Sequence, residues 1–148
     1  MKYSHTLKHF KDLTPHELYA MMRLRNEVFV VEQNCVFQDA DNKDLYCHHL
    51  LVWDADRLVA YARLVPPGLS YEEMSIGRVV TSKEVRGTGA GRMLMQMAID
   101  YCEKIFGPGP IHIGAQLYAE KFYNSLGFKQ TGLIYDEDGI EHVEMIRG

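Results

Sequence analysis

The segment Val85-Arg86-Gly87-Thr88-Gly89-Ala90-Gly91-Arg92 constrains this chain more than any other. It lies between an apolar run at 75–81 and an amphipathic run that begins near Gly91, so it reads as strand, glycine turn and helix start. A helix start leaves several backbone N–H groups without partners, and glycine lets an anion approach them without meeting a Cβ atom. The helix dipole adds about half a positive charge at the same place. Arg86 and Arg92 add formal charge beside it.

That charge is local. The chain carries 16 Lys and Arg against 20 Asp and Glu, a formal net charge of −4, so the overall basic footprint of a nucleic-acid binder is missing. A length of 148 residues, with 47% hydrophobic and 24% charged, suits one domain over 1–148 with one core. No apolar run approaches the roughly 20 residues that cross a bilayer, and the first ten residues lack the apolar centre of a secretion signal. A cytoplasmic protein without a membrane partner is expected. Cys35, Cys47 and Cys102 form no C-x-x-C pair, which reads as free thiols and no metal site.

Thr14-Pro15-His16-Glu17 is a capping box with proline at the first helical position, and Leu18, Met21, Met22, Leu24, Val28 and Phe29 give the helix behind it one apolar face. Runs at 48–53 and 58–65 read as a hairpin, with a third strand at 75–81. Leu94, Met97, Ala98, Tyr101, Cys102 and Ile105 mark a second helix, stopped by Gly107 and Pro108. A short strand at 111–115, a two- to three-turn helix ended by Gly127 and strands at 128–135 and 140–146 complete the order β-α-(α)-β-β-β-α-β-α-β-β. Strands grouped around helices predict a mixed α/β sheet of six to seven strands with helices on both faces. The last strand, with Glu141 and Glu144, is a candidate edge for pairing in a homodimer.

Three glycine-loop patterns compete for the turn. A P-loop needs Lys and Ser or Thr after the last glycine, and the chain has Arg92 and Met93 there. The dinucleotide fingerprint needs glycine at 92. The pattern [R/Q]-x-x-G-x-[G/A] fits Arg86 to Gly91, and it resembles the coenzyme A pyrophosphate loop of the GNAT acetyltransferase superfamily. A second segment, Gln116-Leu117-Tyr118-Ala119-Glu120-Lys121-Phe122-Tyr123-Asn124-Ser125-Leu126-Gly127-Phe128, is similar to that superfamily's N-x-x-A-x-x-[LF]-Y-x-x-x-G-F, with Gln116 in place of Asn. The strings Phe29-Val30-Val31-Glu32-Gln33-Asn34-Cys35, Gln38-Asp39-Ala40-Asp41, Val59-Ala60-Tyr61-Ala62-Arg63, Ile76-Gly77-Arg78-Val79, Gly114-Ala115-Gln116 and Glu137-Asp138-Gly139-Ile140 resemble its ElaA subgroup across nearly the whole chain.

The resemblance implies a central parallel strand pair that splays apart, with acetyl-CoA as cosubstrate and no metal. The pantetheine arm would pair with backbone near Val79, Val80 and Thr81 and meet Gln116. Its diphosphate would rest on Arg86, Gly87, Thr88, Gly89, Ala90, Gly91 and Arg92. Tyr123 takes the position of the acid that protonates the leaving thiolate, and Gly114 suits close backbone approach. Glu32, His49, His112 and His142 are candidates for the base that an amine of pKa near 10.4 requires. Glu32, Gln33, Asp39, Asp41 and Asp44 read either as an acidic acceptor wall suited to a cation or as a solvated polar loop without selectivity, with Arg78 as partner of an acceptor carboxylate or of these acids.

The implied reaction is direct acetyl transfer to the primary amine of a small molecule or peptide. Two alternatives stand beside it. One is a coenzyme A-binding sensor or interaction protein without catalysis, and the other is a transferase taking a different acyl donor or S-adenosylmethionine.

Overall fold

The Thr14 hydroxyl accepts a hydrogen bond from the Glu17 amide at 3.1 Å, while the Glu17 carboxylate accepts one from the Thr14 amide at 2.8 Å. With Pro15 behind this cap, helix α1 runs over Pro15–Arg25. In the computed structural model, which describes residues 2–148, α1 follows strand β1 (Ser4–His9) and continues as a π-helical turn over Asn26–Glu32. Strands β2 (His48–Asp54) and β3 (Arg57–Val65) form the expected hairpin, and β4 (Ser75–Thr81) leads through the glycine turn into helix α2 (Ala90–Phe106). Strand β5 (Ile111–Gln116), helix α3 (Glu120–Asn124) and strands β6 (Phe128–Glu137) and β7 (Ile140–Arg147) follow. The third helix is five residues long, shorter than its apolar spacing suggests, because a 3-10 turn over Leu117–Ala119 takes up its first residues.

The strands form two antiparallel sheets, β1-β2-β3-β4 and β5-β7-β6. They touch at one parallel bridge between Met74 and Ile111, where the His112 amide donates to the Met74 carbonyl at 3.0 Å. Beyond that bridge β4 and β5 separate, which is the splayed parallel pair. A bulge bends β4 where they part. Tyr61 pairs with Val80 and Arg63 with Gly77, so Arg78 and Val79 stand opposite Ala62 alone, and Arg78 adopts φ +49.

Apolar side chains pack in two clusters rather than one. Leu94, Met95, Ala98 and Ile99 of α2 cover the face formed by Leu50, Ala60, Ile113 and Met145 among others. Met21, Leu24 and Val28 pack on Leu51, Tyr61 and Val80 from the opposite face of the first sheet. Successive residues of a strand point to opposite faces, so a sheet with a helix on each side divides its apolar residues between two layers. Each fully buried Leu, Ile or Met contributes about 1.5–3 kcal/mol. The candidate dimer edge at 140–146 is not an edge, because β7 lies between β5 and β6. Among the described residues no helix is long and apolar enough to cross a membrane.

Candidate functional site

Where β4 and β5 part, a cleft of about 720 Å³ opens, within the range of small-ligand sites. Residues of β4, residues 113–116 of β5, Tyr123 and the segment around Glu32 line it. Gly87 and Gly89 take φ of +79 and +88, with nothing within 4 Å of where a Cβ would stand. Gly89 caps α2 without any side-chain hydrogen bond, so no side chain occupies the first-turn amides. The Thr88 hydroxyl donates to the Val85 carbonyl at 2.5 Å and closes the turn from inside. Arg92, exposed in the first turn of α2, donates to the Ser125 hydroxyl at 2.6 Å and lies over the Phe122 ring.

Arg86 stands at the Thr81 end of β4, donating to the Thr81 carbonyl at 3.2 Å and to both Glu32 oxygens, at 2.5 and 3.0 Å. Hydrogen bonding from Arg86 holds the Glu32 carboxyl below the usual carboxylate range. One residue along, the Gln33 and Gln116 side chains meet at 3.4 Å. The turn after α1 is thus tied across the cleft by two polar pairs. Tyr123 packs against Phe122 and Phe128 and lines the cleft, and burial pushes its hydroxyl up to about 12. Val79, Val80 and Thr81 all line the cleft, and Val80 and Thr81 pair with β3 on their other side.

The histidines separate clearly. His142 lines the cleft, its Nδ1 2.8 Å from the Ile140 carbonyl and its Nε2 3.4 Å from Glu137. A carbonyl only accepts, so Nδ1 carries a hydrogen, and Nε2 is the nitrogen turned toward Glu137. His49 does not reach the cleft: it is fully buried, 2.7 Å from the Tyr61 hydroxyl and 3.0 Å from the Asp44 carbonyl, and burial drives its pKa down to about 4. His112 is engaged as well, with Glu73 at 3.0 Å, Glu144 at 2.8 Å and the Tyr71 ring stacked 3.7 Å away.

The acidic wall is neutralised from within. Arg25 binds Asp39 at 2.9 Å and Asp44 at 2.8 Å, Arg63 binds Asp41 at 2.8 and 3.0 Å and Asp44 at 3.1 Å, and Arg78 reaches Asp39 at 2.9 Å and Asp41 at 3.3 Å. Burial alone would raise Asp41 and Asp44, but the arginines override it and hold both below the carboxylate range. Asp39 and Asp44 are buried, so of these acids only Asp41 reaches the cleft. Three carboxylates against three guanidiniums leave no net charge to attract a cation.

Sequence reasoning missed Tyr71 and Tyr135. Their hydroxyls stand 3.0 and 2.6 Å from where a Cβ on Gly114 would be, so the close approach that this glycine permits is to two phenols. Glycine inside a strand was the available signal. Burial also pushes the Cys47 thiol up to about 11 and that of Cys102 up to about 12, which leaves neither a ready nucleophile.

Residues 11–147 match the family model described as an acetyltransferase (GNAT) domain. The chain belongs to the GNAT family. Among its GNAT relatives, protein ElaA of Escherichia coli is 42% identical over 141 residues, covering 94% of this chain and 92% of ElaA. A crystal structure of an acyl-CoA N-acyltransferase from Pseudomonas aeruginosa matches with TM-score 0.95 and 41% identity over 99% of this chain and all of that one. The crystal structure of Escherichia coli ElaA matches with TM-score 0.93 and 39% identity over 99% of this chain and 100% of that one. This GNAT protein is an ElaA-like acyltransferase; its family uses an acyl-CoA cosubstrate and amine acceptors.

Proposed function

We propose that the chain is an acetyl-CoA-dependent N-acetyltransferase that moves the acetyl group directly to the primary amine of a small molecule or peptide. The observation that carries this reading is the cleft between the parted strands, with the uncapped start of α2 beyond one end of β4 and the Tyr123 hydroxyl in its wall. The residues fit the cosubstrate: unpaired first-turn amides at 90–92, open space over Gly87 and Gly89, and Arg86 beside them suit a diphosphate. The side of β4 turned away from β3 offers the backbone of Val79 and Thr81 for pairing with an amide-bearing arm, and Gln116 lines the same space.

Acetyl-CoA supplies an activated thioester carbonyl. The protein supplies the rest. His142 Nε2 takes the proton that the attacking amine gives up, and Glu137, 3.4 Å away, holds the imidazolium that forms. A β4 amide near Val80 donates to the carbonyl oxygen as charge gathers there. The C–N bond forms, the C–S bond breaks, and Tyr123 gives its proton to the departing thiolate. A phenol pushed up to about 12 stays protonated at neutral pH, as that role requires.

The test is thermal shift with acetyl-CoA, longer acyl-CoA esters and S-adenosylmethionine, followed by thiol release with a panel of amines. A ligand at about 100 times its Kd adds about 2.7 kcal/mol to stability. Stabilisation by acetyl-CoA with amine-dependent thiol release is expected. Binding without release on any amine would overturn the catalytic reading, and stabilisation by S-adenosylmethionine alone would overturn the donor.

A further inference from the structure

Once Asp39, Asp41 and Asp44 are matched against Arg25, Arg63 and Arg78, one cation on the cleft wall is left over. The Lys43 ammonium donates to the Ser70 hydroxyl at 3.1 Å and, among the described residues, makes no ion pair; both side chains line the cleft. The three arginines do not compete for this role, since each is bound to two of the aspartates. The β6–β7 hairpin contributes the opposite charge to the same cleft, Glu137 beside His142 Nε2 and then Asp138. The cleft therefore holds one ammonium without a carboxylate partner and, on a different element, carboxylates next to the proposed base.

We infer that the acceptor is an amino acid with a free carboxylate. Its carboxylate takes the Lys43 ammonium and the Ser70 hydroxyl, and its amine lies against Glu137 and His142. A simple polyamine, with cations at both ends, would bring one of them against Lys43 and is disfavoured. The inference rests on the acetyltransferase reading and names its acceptor class. The amine proton passes to His142 Nε2, nitrogen bonds to the acetyl carbon and the thiolate leaves, while the carboxylate is unchanged.

The experiment measures thiol release from acetyl-CoA with matched amines: free amino acids, their methyl esters and their decarboxylated counterparts, such as phenylalanine, its methyl ester and phenethylamine, or lysine and cadaverine. Wild-type kcat/KM is expected to favour the free acid by about tenfold or more, the usual scale of a charge-assisted contact. Lys43→Ala should raise KM for the amino acid with little effect on kcat and collapse that preference, and Lys43→Arg should keep most of it. Esters or decarboxylated amines turned over as well as the free acids would overturn the inference while leaving the acetyltransferase reading intact. So would an unchanged preference in Lys43→Ala. No thiol release with any amine would overturn both.

Discussion

The ion pair between Glu32 and Arg86 makes Glu32→Gln a variant whose effect has a definite sign. In the free protein both Arg86 terminal nitrogens are engaged by one carboxylate, at 2.5 and 3.0 Å, and about a third of each side chain is exposed. If Arg86 serves the diphosphate, cosubstrate and Glu32 compete for one guanidinium. Pairs this exposed are worth about 0.2–1 kcal/mol, and bidentate geometry puts this one near the top of that range. Removing the carboxylate's charge returns that energy to the ligand. Since 1.4 kcal/mol is tenfold, the Kd for acetyl-CoA should tighten by up to about fivefold. Calorimetric titration at low salt reads it, and the difference should shrink in 0.5 M salt, where screening weakens the wild-type pair. A base at Glu32 makes the opposite prediction, because losing general-base catalysis costs about 10²–10⁴ in turnover. Weaker or unchanged affinity, or turnover reduced a hundredfold, would refute the competition.

Tyr123→Phe should lower kcat by about tenfold to a hundredfold at pH 7, near the low end for a general acid, because a thiol of pKa about 8.5 is already a fair leaving group; a pH series of initial rates should show the deficit narrowing above pH 9. His49, held at about 4 in the fold against 6.5 when unfolded, makes the unfolded chain the stronger proton binder between those values, so its stability contribution is complete above 6.5 and is lost as pH falls toward 4. The full span is about 3 kcal/mol, and urea denaturation at pH 7, 6, 5 and 4.5 should show a shallower decline in His49→Gln than in wild type. Gly114→Ala would place a methyl 2.6 Å from the Tyr135 hydroxyl, so the phenols must move; acceptor KM should change while thermal melting reports a loss of no more than about 1 kcal/mol, the low end for overpacking, because only side-chain ends are displaced.

Local signals were legible in the sequence. The Thr14–Glu17 box, the glycine turn into α2 and the two hairpins each depend on neighbours within a few residues, and each formed as spaced. Pairings across the chain left weaker marks. Arg25 finds Asp39 and Asp44, and His112 finds Glu73 and Glu144, through contacts that no spacing announces. The usable sign was placement: His49 and Arg63 sit in apolar strand runs, where a polar group must bring its partners with it. Lys43 could be read as the unmatched cation only after every acid around it had been assigned. The strand at 140–146 was misplaced because sequence order does not give sheet order, and the last strand inserted itself between β5 and β6.

Arg78 joins two parts of the molecule that would otherwise diverge separately. Its backbone is held left-handed, at a cost of about 1–2 kcal/mol for a residue with a Cβ, while its guanidinium is anchored by Asp39 and Asp41. Loosening the 38–44 loop to admit a new acceptor would also release the kink that turns Val79 and Val80 toward the cleft. Remodelling of selectivity in such a scaffold must therefore either spare those two aspartates or re-establish the strand's course by another anchor, a mechanical tax on how freely this protein can drift toward new partners.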